Sequence, residues 1–358
     1  MIKKLLFSIF FSLSFFTSFA LLTVKRQDSL LSKLKDSILS NHYPKIHSLL
    51  IARGKNLLME AYFNGYTRDS LHDSRSSFKS VTSLLVGIAI DKGFIKNVDQ
   101  KIYEFFPEYP WLKEDPLKKL LTIRNLLEMK SGLDCEEFNE TKDCEDEMSQ
   151  TDNWVKYGLG IKMIHKPGEI WSYTSVDPMI LSGFLRRATH MTVMKFAEKY
   201  LFKPLNITHY KWSTDSSGNG MTAGSFYIRP VDMIKLGQLV EGDGVWNGKM
   251  VISKRWIQQS TDCKIEIPDF SYMQTSRTKF AYPQQAYYGF YWYREMIKTD
   301  LFKEDVLFAS DNGGQYIFVI KRLNLTVVFT QGNYKTFKAK QAFEILAKYI
   351  IPHFISKA

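Results

Sequence analysis

The sequence predicts an α/β protein of the α+β kind: one antiparallel sheet flanked by helices and carrying an inserted all-helical lobe. Three observations predict it. Two apolar strand-like runs, Ile46–Ile51 and Asn56–Phe63, stand near one end of the chain, and Tyr287–Arg294, Val306–Ala309, Tyr316–Ile320 and Leu325–Phe329 stand near the other. Strands at both ends complete one sheet only by pairing with each other. Between them, from Val98 to about Lys211, short helical patterns are broken by Pro107, Pro110, Pro116, Pro167, Pro178 and Pro204, with few strand patterns.

Taken in order, residues 1–20 read as a secretory signal. Lys3 and Lys4 precede the apolar run Leu5–Phe19, and Ser18-Phe19-Ala20 places small residues where a signal peptidase needs them. No charge interrupts Leu5 to Val24, so an uncleaved membrane anchor is the alternative. Asp28–Ser40 is a helix candidate with Leu31, Leu34 and Ile38 on one side. Arg53-Gly54-Lys55 reads as the hairpin turn between the first two strands, and Asn64-Gly65 ends the second.

Ser76–Lys92 reads as a buried helix, with Val81, Leu84, Leu85, Ile88 and Ala89 at helical spacing and Gly93 as its stop. Beyond the lobe come a helix around Val231–Glu241 and a turn-rich stretch to Pro283. A final helix, Lys338–Ile351, has Ala342, Ile345, Leu346 and Tyr349 on one face. The main domain then spans 41–334 with its lobe at about 98–211, and 335–358 is its C-terminal helix.

With 45% hydrophobic and 24% charged residues, the chain has the composition of a folded protein. Its net charge of +11 is scattered, with no basic block, RNA-binding signature or Cys/His finger spacing, which excludes nucleic acid as the expected partner. Contact with a membrane is expected only through an uncleaved N-terminal segment. Cys135 and Cys144 bracket a short polar stretch, Glu136 to Asp143, and close a disulfide loop if the chain is exported; free thiols are the alternative. Cys263 is left over.

The candidate chemistry begins with Ser76-Ser77-Phe78-Lys79. A lysine three residues after a serine on a helix lies one turn away on the same face, where it can take the hydroxyl proton. Ser32/Lys35 and Ser276/Lys279 share the spacing, but only Ser76 opens the strongly apolar helix. There, free backbone N–H groups can hold an oxyanion, and burial lowers a lysine pKa. No Gly-x-Ser-x-Gly, His-Glu-x-x-His, phosphate loop or Cys-x-x-Cys competes. His72 reads as a turn or surface residue.

The stretch Glu60-Ala61-Tyr62-Phe63-Asn64-Gly65-Tyr66, followed by SSFKSVTSLLVGIAIDKG from Ser76 to Gly93, resembles the nucleophile region of the serine β-lactamase-related hydrolases. This is the family of class C β-lactamases, penicillin-binding proteins and related esterases. Further landmarks follow in the family's order: Leu126–Leu133, Pro167-Gly168-Glu169, Leu201–Leu205 and Arg229–Met233. The resemblance covers His47 to about Tyr334 and implies a β-lactamase-like fold, Ser76 as nucleophile and Lys79 as base.

It further implies that Tyr173, in Tyr173-Thr174-Ser175, is the catalytic tyrosine, with Ser175 standing where the family has an amide that binds substrate. Asn312-Gly313-Gly314-Gln315 matches the third motif: Asn312, Gly313 and Gly314 would face the substrate, and the Gln315 N–H would join that of Ser76 in the oxyanion hole. Asn312 replaces the usual cation, which argues against potent β-lactamase activity. The implied activity is hydrolysis, through an acyl-enzyme, of a small ester, amide or cell-wall-derived peptide, in the periplasm or outside the cell, with no metal or organic cofactor. The rival reading is a non-catalytic exported binding protein; Ser175, Asp311 and Asn312 are the departures that favour it.

Overall fold

The computed structural model describes residues 30–355. The segment read as a signal or anchor, residues 1–20, lies outside the described residues. The first helix, α1, is described over residues 30–39. Eight strands form the main sheet: β1 Ile46–Arg53, β2 Asn56–Tyr62, β3 Ile265–Glu266, β4 Ala286–Tyr288, β5 Tyr293–Lys298, β6 Lys303–Ala309, β7 Tyr316–Ile320 and β8 Leu325–Gln331. Their order is β2-β1-β8-β7-β6-β5-β4-β3, and every neighbouring pair is antiparallel.

The predicted closure of the two chain ends is therefore the β1–β8 pairing, in which Leu50 faces Val328 and Ile51 faces Val327. Alternation along β7 and β8 shows how both faces are covered. Phe318 stacks edge-on against Phe343 of the C-terminal helix at 5.2 Å. Ile317, pointing the other way, and Thr326 press on Gly237 of the helix Pro230–Glu241, where a Cβ would lie within 2.6 Å of both side chains.

Three corrections to the sequence reading concern the C-terminal half. Tyr287–Arg294 is not one strand: the chain reverses at Gly289–Trp292, with Tyr291 in the left-handed region at φ 66° and Gly289 N–H bonded to the Trp292 carbonyl. The turn-rich stretch contains a helix, Lys254–Thr261, whose N-cap Ser253 accepts the Trp256 N–H. The C-terminal helix runs on through Gln341–Ile345, Leu346–Ile350 and Ile351–Ile355 rather than stopping at Ile351. Residues 98–209 add no strand to the main sheet; beyond them Tyr210–Trp212 joins Phe226–Ile228 and His72–Asp73 in a small three-stranded sheet.

The helix α2, Phe78–Asp91, is buried from Phe78 to Ala89. Two of its buried hydroxyls and one of its carbonyls are tied to neighbouring segments. Ser80 Oγ donates to the Tyr291 carbonyl at 2.5 Å and Thr82 Oγ1 to the Thr222 carbonyl at 2.8 Å, while the Ser83 carbonyl accepts Trp256 Nε1 at 3.1 Å. These bonds fix the first half of the helix, next to Lys79. Gly93, at φ 77°, stops it as predicted.

Candidate active site

Ser76 sits in a single 3₁₀ turn, Arg75–Ser77, that feeds α2. Asp73 Oδ1 accepts the Arg75 N–H at 2.9 Å, and Ser77 Oγ donates to the Ser74 carbonyl at 2.6 Å. Arg75 is held at φ 48°, and the Cβ that Gly224 lacks would lie 3.2 Å from the Arg75 carbonyl carbon. Ser76 is consequently half-buried at the mouth of the helix, whereas Lys79, one turn on, is only 2% exposed.

Lys79 Nζ donates to Ser76 Oγ at 2.9 Å, to the Ala223 carbonyl at 3.1 Å and to Ser175 Oγ at 3.3 Å, and lies 4.8 Å from the centre of the Tyr173 ring. Burial pulls its pKa below the ordinary lysine range, while Glu145, Glu137 and Asp311 pull the other way. The Tyr173 phenol lies beside Ser76 and Tyr293. Burial raises its phenol well above the usual range, Ser76 and Tyr293 oppose the rise, and Glu137 and Glu145 add to it. Two titratable neighbours of one hydroxyl are thus pushed apart, which separates their roles. In this arrangement Lys79 is suited to take up a proton and Tyr173 to keep its own.

This geometry accompanies a family match. The family model described as Beta-lactamase matches residues 47–349. The chain belongs to the β-lactamase family. Among curated relatives, a 6-aminohexanoate-dimer hydrolase of Paenarthrobacter ureafaciens is 24% identical over 252 residues; the match takes in 66% of this chain and 62% of that protein's length, so the chain spans less than two thirds of it. Among solved structures, a family VIII carboxylesterase superposes with a TM-score of 0.65 at 15% identity, covering 89% of this chain and 97% of that one. A penicillin-binding protein from Bacillus halodurans gives 0.64 at 14% identity, covering 88% and 99%. At these identities the structures show the shared fold.

Within the β-lactamase fold, Ser76, Lys79, Tyr173 and Ser175 come together, but several expected roles change. Ser175 is 1% exposed, and its hydroxyl meets Lys79, Glu137 Oε2 at 2.9 Å and Glu145 Oε2 at 2.5 Å, so it holds protein groups rather than substrate. The Gln315 N–H, expected in the oxyanion hole, is already donated to Asp311 Oδ1 at 2.6 Å, and its side chain is tied to the backbone of Gln331. Gly313 is a glycine because Tyr334 covers it, with a Cβ reaching to 2.2 Å of the ring, and Gly314 because Gln331 and the Ala339 carbonyl crowd it. Neither is explained by substrate approach. Asn312 is exposed, as a substrate-facing residue would be.

His72 is also corrected: it is buried, in the short strand His72–Asp73, and stacks on Tyr66 at 4.8 Å. Among the described residues no group of three or more His, Cys, Asp or Glu is placed to hold a metal ion, and no helix is long and apolar enough to cross a membrane. Cys135 and Cys144 are joined by a disulfide, and Cys263 is free and buried. The residues that sequence reading missed are Glu137 and Glu145. Their one signal is position, flanking the two cysteines whose pairing brings them together.

Proposed function

We propose that the protein is an exported serine hydrolase that acylates Ser76 with a small ester or amide and then hydrolyses the acyl-enzyme. The 2.9 Å contact of a buried Lys79 Nζ with Ser76 Oγ carries the reading. Neutral Lys79 takes the Ser76 proton as Oγ attacks the carbonyl carbon. Tyr173 gives its proton to the leaving alkoxide or amine as the tetrahedral intermediate collapses. Water then cleaves the acyl-serine bond with the same groups in reverse.

Two features support the finer points. A disulfide at Cys135–Cys144 suits an oxidising compartment, in keeping with the signal-like run Leu5–Phe19. The exposed, neutral Asn312 offers no cation to a substrate carboxylate, which favours a neutral ester over a β-lactam or peptide C-terminus. The occupied Gln315 N–H favours the rival, a binding protein without turnover. Labelling with a fluorophosphonate probe, mapped by mass spectrometry, separates the two. Ser76 is expected to carry the probe and Ser76→Ala to remain unlabelled; no labelling of the parent overturns the hydrolase reading.

A further inference from the structure

The stretch between the cysteines is a small closed hairpin. Glu136 and Lys142 exchange backbone hydrogen bonds at 3.1 and 2.8 Å, the Glu136 carboxylate caps the N–H groups of Phe138 and Asn139, and Lys142 pairs with Asp134 at 2.7 Å. Its two ends are tied by Cys135–Cys144, and Glu137, two residues after the first cysteine, and Glu145, directly after the second, reach the Tyr173-Thr174-Ser175 segment.

Glu137 holds the Tyr173-Thr174-Ser175 segment from two sides. Its backbone N–H donates to the Tyr173 carbonyl at 2.8 Å. Its carboxylate accepts Thr174 Oγ1 at 2.9 Å, the Ser175 N–H at 2.8 Å and Ser175 Oγ at 2.9 Å. Phe138 continues the contact, edge-on to Trp171 at 5.3 Å and to Tyr173 at 6.1 Å. From the other foot of the hairpin, Glu145, N-capped with its helix by Asp143, meets the same Ser175 hydroxyl at 2.5 Å. A hydroxyl has one hydrogen, so Ser175 can donate to only one of the two carboxyls; the other contact is a hydrogen bond when that carboxyl brings a proton of its own.

We propose that Glu137 and Glu145, delivered to Ser175 by the Cys135–Cys144 disulfide, are positioning residues that hold Tyr173 and Lys79 in register with Ser76. Ser175, buried in place of a substrate-facing amide, is the joint through which they act: it touches both glutamates and Lys79 Nζ. The titratable groups facing Lys79 are Glu145 and Glu137 from the hairpin and Asp311 from the loop before β7, with the Tyr173 ring against it from the Tyr173-Thr174-Ser175 segment. Removing either glutamate's charge therefore lets burial lower Lys79 further.

The inference rests on the Ser76 acyl-enzyme reading, and the test separates the two. Rates of fluorophosphonate labelling at Ser76 are measured against pH for the parent, Glu137→Ala, Glu137→Gln, Glu145→Gln and the double variant Cys135→Ser/Cys144→Ser, with near-UV circular dichroism as the check on folding. Glu137→Ala and the cysteine variant are expected to label about tenfold to a hundredfold more slowly, the scale of a misplaced catalytic group. Glu137→Gln keeps an acceptor and is expected to recover most of the rate, while its rising limb, and that of Glu145→Gln, moves to lower pH. A purely structural role would not move that limb. Parental rates and profiles in all four variants, with the parent labelled at Ser76, overturn the positioning role alone; a parent unlabelled at Ser76 overturns both. If Glu137→Ala or the cysteine variant fails to fold, the two glutamine variants decide, and an unshifted limb in both overturns the proposal.

Discussion

Asp311 Oδ1 accepts the backbone N–H of Gln315 at 2.6 Å and that of Gly314 at the same distance. The carboxylate thereby closes the turn that leads into β7, while burial raises it to about 7 against the lowering effect of those backbone bonds. A carboxyl raised in the folded state keeps its proton at pH values where the unfolded chain, near 3.8, has lost it. Stability attributable to Asp311 therefore falls as pH rises from 3.8 toward about 7. Asp311→Asn keeps an acceptor and removes the titration, so it is expected to gain on the parent above that window and not below it. Denaturant unfolding at a series of pH values reads the difference; parallel curves would show that Asp311 does not titrate there.

Asn312→Lys restores a cation to the third motif. In a dry cleft a charge-assisted bond is worth about 1.5–3 kcal/mol, but Asn312 is exposed, and an exposed pair is worth about 1 kcal/mol at most. The ratio of acylation rates for carboxylate-bearing against neutral substrates is expected to rise no more than about fivefold. An unchanged ratio, with neutral-ester acylation preserved, would show that Asn312 does not face the substrate.

What was legible in the sequence followed from local pattern. The apolar spacing of Val81, Leu84, Leu85, Ile88 and Ala89 marks α2 as central whatever surrounds it, and the Ser76/Lys79 pair needs only a helical turn. What was hidden depends on partners far away. Glu137 and Glu145 look like solvated loop acids because Ser175 lies 38 and 30 residues on. The Gln315 N–H looked free because its acceptor is a side chain, Asp311, whose orientation no periodicity reports. Helix Lys254–Thr261 gives no clear apolar stripe in the sequence because its inward residues, Trp256, Ile257, Ser260 and Thr261, are half polar.

Gly87 is in α2 because Trp256 occupies its side-chain space: a Cβ would lie 2.1 Å from Cδ1 of the indole. The ring cannot easily retreat, since its Nε1 donates to the Ser83 carbonyl at 3.1 Å. In Gly87→Ala a helix-propensity gain of about 1 kcal/mol opposes an overpacking penalty of about 1–3 kcal/mol. The penalty is expected to win, because the overlap falls on a ring carbon rather than on a flexible tip. Thermal unfolding should show a lower Tm for Gly87→Ala and recovery in Gly87→Ala/Trp256→Leu relative to Trp256→Leu alone; a stabilised single variant would mean that the indole moves freely.

A stack of rings joins β1 of the main sheet, through Tyr66, to the short strand His72–Asp73 ahead of Ser76. His47 lies 3.9 Å from Tyr66, which lies 4.8 Å from His72, and the two imidazoles are 5.5 Å apart. Burial lowers both to about 4, and for His72 the neighbouring His47 lowers it further. Between about 4 and the ordinary 6.5, the unfolded chain binds protons that the folded chain refuses. Stability from this stack is thus complete above 6.5 and lost as pH falls toward about 4, opposite in sign to the Asp311 effect over nearly the same window. The double variant His47→Phe/His72→Phe keeps flat rings in the stack and removes the titration. Its unfolding free energy is expected to fall less steeply than the parent's on acidification, while Asp311→Asn falls more steeply. Because the strand His72–Asp73 leads directly into the Arg75–Ser77 turn, acid loosening there should also slow labelling of Ser76 in the parent before global unfolding, and less so in the double variant. Identical acid limbs for parent and double variant would show that the two histidines stay neutral, or are equally charged, in both states.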